Sequence, residues 1–519
     1  MSSWARLLIE EYKGGIMARK GFRRKLKPLE ILTNEEIEEV HRGTLEVLWV
    51  TGVRMEHKRA LGILERNGCK VDYENSRVRF PPALVEDCLR KCPSTFCLKA
   101  REPKNDLVLG GNTVYFSAFP GMKTVDLDTW EPRTATRKEF YDAVTILDAL
   151  DTCDLFKAYT PYFGFEGVPA SMAMLESFAG KARNSAKFQP EGYSNDSELF
   201  SIEMAQALGT EIYLYALPGS PLTYFSDAIE ASLRGAEAGL AVKVGDGPMF
   251  GGTAPATIAG ALITHNAECM APIVLLQIVK PGTRIIASHL DFPLNMQNGA
   301  PTFGDIGTSL HTVSFNQIWR RKYGVPTANL SSISSSKQAD FQGGYERATA
   351  ALLCALSGAN YVALHGSIHG ELTHHPVQAI LDDDLAGMIG RFIQGIEVND
   401  ETLAIDLIGE VGPIPGHFLN KAHTRKWWKL EQFVPRAADR LTYPEWMKSG
   451  KKSCLDYARE RMEQILATHK PTPLTSRQEE DIERILEEAR QHYKDRGLIS
   501  AEEMATYRES MKSPDYPYG

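Results

Sequence analysis

Between residues 113 and 365, short apolar segments alternate with long amphipathic ones, and this alternation limits the fold more than any other feature of the chain. Thr113–Ser117, Phe156–Phe163, Ile212–Leu217, Leu240–Val244, Arg284–Ser288, Thr327–Ser331 and Asn360–His365 read as strands, most followed by a glycine- or serine-rich loop and a helical pattern. Strands joined by crossovers of that length have to run parallel. Six or more such units in one chain favour a closed eight-stranded barrel over an open doubly wound sheet. The predicted fold class is α/β: a TIM (β/α)8 barrel over residues 113–406.

The flanks carry different patterns. In 27–112, Thr33 and Glu36 have the spacing of a capping box, and Ile37, Val40 and Thr44 fall on one helical face. Arg77–Phe80 reads as a strand, and Pro81-Pro82 opens a helix that runs through Leu89. This is an N-terminal α+β segment. After Asp406 the chain turns to charged helices and prolines, and its last predicted helix, Ser476–Arg496, carries Ile482, Ile485, Leu486, Ala489 and Tyr493 on one stripe. Residues 407–519 are thus expected to form a C-terminal helical extension. Residues 1–26 are a basic extension whose apolar patch, Leu7-Leu8-Ile9, is too brief for a signal-peptide core, and Met17 is the expected native start.

Composition excludes several classes of function. A net charge of −8 offers no electrostatic footprint for nucleic acid. Charges or prolines interrupt every long apolar run, so no membrane span is expected. The eight cysteines are scattered, and the clustered Cys88, Cys92 and Cys97 lack the paired C-x-x-C of a structural zinc site. A cytoplasmic protein without a metal follows. No glycine-rich dinucleotide fingerprint or Walker loop is present, which argues against nicotinamide and nucleoside triphosphate cofactors.

Several stretches together resemble the trimethylamine methyltransferase family. They are Ile31-Leu-Thr-Asn-Glu-Glu36, Asp106-Leu-Val-Leu-Gly-Gly111, Thr253-Ala-Pro-Ala-Thr-Ile-Ala-Gly260 with Asn266-Ala-Glu268, and Ser336-Lys-Gln-Ala-Asp-Phe-Gln342-Gly-Gly-Tyr-Glu346. Further on stand Leu381-Asp-Asp-Asp-Leu385, Glu410-Val-Gly-Pro413 with Gly416-His-Phe418, and Ile465-Leu-Ala-Thr-His-Lys-Pro471, so the likeness runs from about Lys27 to Pro471. The resemblance implies a barrel that presents a methylated amine to the cob(I)alamin of a separate corrinoid protein, with no tightly bound cofactor of its own. Only standard residues occur here, so the chain is similar to members that lack pyrrolysine, such as those demethylating glycine betaine. The serine-rich loop Ser331–Lys337 is the expected counterpart of the pyrrolysine position.

A quaternary ammonium has no N–H to donate, so its recognition falls to aromatic faces, worth about 0.5–2 kcal/mol each. Its departing group is a neutral tertiary amine, so no general acid is required. The residues expected to bind substrate are Tyr115, Phe116, Tyr224 and Phe292, with His365 and His369 for the carboxylate of a betaine or carnitine. Each aromatic would equally serve as core filling. Gly251, Gly252, Ser336, Lys337, Asp340 and Gln342 are expected in loops that face the corrin, where glycines would let a broad, flat ring approach. Asp291, Asp305, Asp340 and Glu346 follow strand ends and either polarise the pocket or cap helices.

Two other readings stay open on sequence alone. One is a metal-dependent barrel hydrolase using His365, His369 and His374 or His375, and the other is a non-catalytic quaternary-amine-binding protein. A homo-oligomer fits all three, because barrel enzymes often dimerise.

Overall fold

The computed structural model describes residues 20–512. The extension 1–19, including the Met17 start, lies outside them. Seven parallel strands are the scaffold: β1 (Thr113–Ala118), β2 (Cys153–Leu155), β3 (Tyr213–Ala216), β4 (Ala241–Gly245), β5 (Ile285–His289), β6 (Thr327–Asn329) and β7 (Tyr361–His365). Their order in the sheet is β2-β1-β7-β6-β5-β4-β3, so neighbours in sequence are neighbours in space along most of the path. The two outer strands both meet one further segment. Phe156 donates its backbone N–H to the Phe188 carbonyl at 3.0 Å, and Glu191 donates to the Tyr213 carbonyl at 3.3 Å. Leu155 and Phe188 also form a parallel bridge.

Alternation along the strands sends side chains to two cores. Tyr115, Tyr213, Tyr215, Ile286, Ala328 and Tyr361 gather in one cluster, which β2 joins through Leu155 and β4 through Ala241. Val242, Val244, Ile285 and Ala287, from the opposite face, pack under the surrounding helices. Those helices include α1 (Ile258–Val279), α2 (Ile306–Ile318), α3 (Phe341–Ser357) and α4 (Pro376–Ile393).

Helix α1 is long and apolar enough to cross a membrane, which the sequence reading did not anticipate, but most of its apolar stretch is buried in the body. Its polar residues are buried too, and they have partners. Asn266 accepts from the Trp319 indole at 2.9 Å, and Glu268 accepts from the Leu222 N–H at 2.8 Å and the Ser220 hydroxyl at 2.9 Å.

The N-terminal segment forms a small sheet in the order Thr223–Tyr224, Val53–Met55, Arg77–Arg79, Lys70–Asp72, which ties it to the loop after β3. The hairpin Phe96–Leu98 with Leu107–Leu109 adds Leu98, Leu107 and Leu109 to the enclosed cluster. At the other end of the chain, Ser476–Asp495 buries Ile482, Ile485, Leu486, Ala489 and Tyr493 against the helices around Leu175 and Met204, as its stripe requires.

Candidate functional site

Charged side chains reach the enclosed cluster toward the carboxyl ends of the strands. The chain leaves β2 through Lys157, which is 3% exposed, and its Nζ stands 4.7 Å over the ring of Phe119, just beyond β1. That Nζ has no hydrogen-bond partner. Burial, with Lys243 nearby, holds the Lys157 ammonium well below the ordinary lysine range. Lys243 on β4 is also buried, but it is paired: its Nζ lies 2.5 Å from Asp246 Oδ2 and 4.5 Å over the Tyr215 ring. Asp246 in turn accepts from the Ser288 hydroxyl of β5. Glu371, in the loop after β7, is pushed up from the usual carboxylate range by burial and then by Asp246.

Aromatic rings line the same end. Phe292 and Phe303 meet edge to face at 4.7 Å between centroids, and Tyr159 stacks on Phe163 at 4.4 Å. Deeper in, the Tyr213 and Tyr361 hydroxyls hydrogen-bond at 2.7 Å. This end of the sheet therefore gathers aromatic rings around the Lys243–Asp246 ion pair and a Lys157 Nζ without a hydrogen-bond partner.

The predicted site residues separate in space. Phe292 lines this end, and His369, half buried with φ 50°, lies 6.3 Å from Phe303. Tyr115 is at the opposite end, where its hydroxyl receives the Val108 N–H of the closing hairpin at 3.0 Å. Phe116 faces outward onto Phe22. Tyr224 belongs to the small N-terminal sheet and donates to the Glu268 carbonyl at 2.8 Å. His365 turns toward α4, where its Nε2 is 3.0 Å from the Thr152 hydroxyl and 3.8 Å from Asp383.

The loop residues keep their expected end of the sheet. Gly251 and Gly252 form an exposed turn after β4, with φ 82° at Gly251. Lys337 is exposed, while Ser336 is buried and donates to Asp340 at 2.8 Å. Asp340 caps α3 by accepting from the Gly343 N–H at 2.8 Å, and Asp305 likewise caps α2. Gln342 donates to Glu346 at 2.9 Å, and Glu346 also accepts from Ser334 and Ser335, which fixes the serine-rich loop.

His365, His369 and His374 do not converge. His374 donates through Nδ1 to the Phe119 carbonyl at 2.8 Å, and burial holds its pKa down to about 3. Among the described residues, the group whose ligand atoms come together is His265, Asp291 and His311, behind β4 and β5.

Sequence reasoning missed Lys157, Lys243 and Asp246. Lysines inside apolar strand patterns were the available signal, since a lysine is almost never fully buried without a reason.

Comparison with known proteins gives a consistent result. The family model described as trimethylamine methyltransferase (MTTB) matches residues 11–493. The chain is 31% identical over 478 residues to the trimethylamine methyltransferase MttB of Desulfitobacterium hafniense strain DCB-2, covering 89% of this chain and 94% of that protein. It is 31% identical over 456 residues to a glycine betaine methyltransferase of Desulfitobacterium hafniense strain Y51, covering 86% and 94%. To the MttB of Methanosarcina barkeri strain Fusaro it is 29% identical over 474 residues, covering 89% and 95%.

Proposed function

Because the chain belongs to the trimethylamine methyltransferase family, we propose that it takes a methyl group from a quaternary amine and passes it to the cob(I)alamin of a separate corrinoid protein. It is a methyltransferase. The observation that carries the substrate reading is the aromatic-walled lumen holding the unpaired Lys157 ammonium. We place the reaction in the cytoplasm.

We read the scaffold as a TIM barrel whose eighth stave is the segment 187–191. Support comes from the backbone bonds that this segment makes to both outer strands and from the one enclosed cluster that all the strands share. Active sites of such barrels lie at the carboxyl ends of the strands, where Lys157, Asp246 and Phe292 are found.

The reaction asks three things of the protein. The trimethylammonium head has to be held, which suits the ring faces of Phe292 and Phe303, the Phe119 and Tyr215 rings already carrying Lys157 and Lys243. The acid end of a betaine has to be received, and Lys157 offers three unfilled donors. Water has to be kept out, and the buried wall does so. The reduced cobalt of the partner, when docked, supplies the nucleophile. No residue need donate a proton, because the departing amine is already neutral. With Lys243 and Lys157 both in the lumen, a zwitterion enters more easily than a simple cation.

The rim fits a large, flat, partly apolar visitor. Phe341 after β6 and Met296 after β5 are 86% and 80% exposed, with Met122 and Leu372 also exposed after β1 and β7. Gly251 carries no side chain that would hold a ring away. These loops are the proposed docking face for the corrinoid protein.

The test is anaerobic incubation with chemically reduced cobalamin and a panel of methylated amines, following loss of the cob(I)alamin spectrum. Turnover with quaternary amines and none with trimethylamine is expected. Turnover confined to trimethylamine, or to methylated sulfur or oxygen compounds, would overturn the substrate assignment.

A further inference from the structure

We propose that His265, Asp291 and His311 form a buried site for a divalent transition metal, zinc being the best match. Asp291 follows the carboxyl end of β5, His265 comes from α1 and His311 from α2, and all three side chains are fully buried.

The ligand atoms of the three residues lie within 4.8 Å of one another. His265 Nδ1 is 2.8 Å and His311 Nδ1 3.3 Å from Asp291 Oδ2, close to the about 3.3 Å between neighbouring atoms of a zinc shell with ligands at about 2.0–2.1 Å. His265 and Asp291 face each other as a buried ion pair, and a metal would take the place of the proton between them. His311 Nδ1 would exchange its 2.7 Å hydrogen bond with His289 Nε2 for the metal.

The outer partners are those a metal site uses. His265 donates its other ring nitrogen, Nε2, to the Ser288 carbonyl at 2.9 Å, which fixes the ring with Nδ1 toward Asp291. His289 Nδ1 meets the Ser331 hydroxyl at 2.8 Å, and Asp291 Oδ1 accepts from the Gly247 N–H at 3.2 Å. The sequence reading assigned no metal, because these three residues are scattered over 47 positions with no motif spacing. The absence of solvent exposure fits a structural site rather than a hydrolytic one. It would pin the carboxyl end of β5, whose Ser288 reaches into the lumen beside Asp246.

The test is elemental analysis of the full chain purified without chelator from zinc-supplemented cells. About one zinc per chain is expected, falling to background in His311→Ala and Asp291→Asn. Chelator treatment should lower the Tm of the wild-type protein, and exchange with Co2+ should give the intense visible absorption of a four-coordinate thiolate-free site. Folded wild-type protein with far less than one metal per chain, which also fails to take up Co2+, would overturn the proposal.

Discussion

The Lys157 ammonium stands 4.7 Å over the ring of Phe119 with none of its three donors used. A cation buried this way is stable only if an anion or a strong acceptor completes it when the site is filled. A betaine does so with its carboxylate, and its ammonium head then lies among the rings.

Lys157→Met should raise KM for glycine betaine about 10- to 100-fold, since a hydrogen bond to a charged group is worth about 1.5–3 kcal/mol. Tetramethylammonium turnover should change little or improve, because a like charge has left the lumen. Steady-state kinetics with both substrates check this, and an equal loss on both would mean that Lys157 holds the fold rather than the acid.

Phe292 and Phe303 meet edge to face at the open end. Phe292→Ala should weaken binding of glycine betaine about 2- to 30-fold, the range of a single cation–π contact. Binding of 3,3-dimethylbutyrate, of the same shape but with carbon in place of the charged nitrogen, should weaken less. Calorimetric titration of both ligands separates lost charge recognition from lost packing.

Phe188 links the outer strands through its bridge to Leu155 and stacks at 5.8 Å on Tyr213. Phe188→Ala should cost about 3–5 kcal/mol, as for other buried aromatics. Urea unfolding followed by intrinsic fluorescence measures it. A cost near zero would count against closure of the sheet through 187–191.

Glu191 lies 2.5 Å from Lys181, both fully buried, and burial pushes its pKa from 4.5 up to about 7 even with the lysine opposing. Between those two values the folded state holds a proton that the unfolded state has released, so stability falls as pH rises from about 4.5 to about 7. Glu191→Gln should remove that part of the slope. Unfolding midpoints across this pH range, compared between wild type and variant, give the answer.

Much of the parallel scaffold was legible because its signal is local. Apolar runs and a capping box such as Thr33 with Glu36 are properties of neighbouring residues, and that capping box forms. The second strand was placed too late: the chain leaves the sheet after Leu155, and Tyr159 adopts φ 62°, although the apolar pattern runs on to Phe163. Residues 187–191 were missed because Lys187, Gln189 and Glu191 look solvent-exposed, and only tertiary structure supplies their buried partners.

Of the residues expected at the site, Phe292 packs on Phe303 beyond the carboxyl end of β5, while others lie elsewhere. His365 was expected at the rim, but the register shifts between Ala363 and His365 where β7 pairs with β1, and the histidine turns to the helices. Tyr224 follows a strand in sequence yet belongs to another sheet. Pattern gives the period of a strand but not the irregularity that changes its face.

The most direct test of the central claim is single-turnover transfer from glycine betaine carrying trideuterated N-methyl groups to reduced cobalamin, with mass spectrometry of both products. The account predicts one trideuteromethyl group on cobalamin for each dimethylglycine formed, and strong loss of that transfer in Lys157→Met. Unlabelled cobalamin after complete incubation with every quaternary amine, from protein shown to be folded, would contradict it.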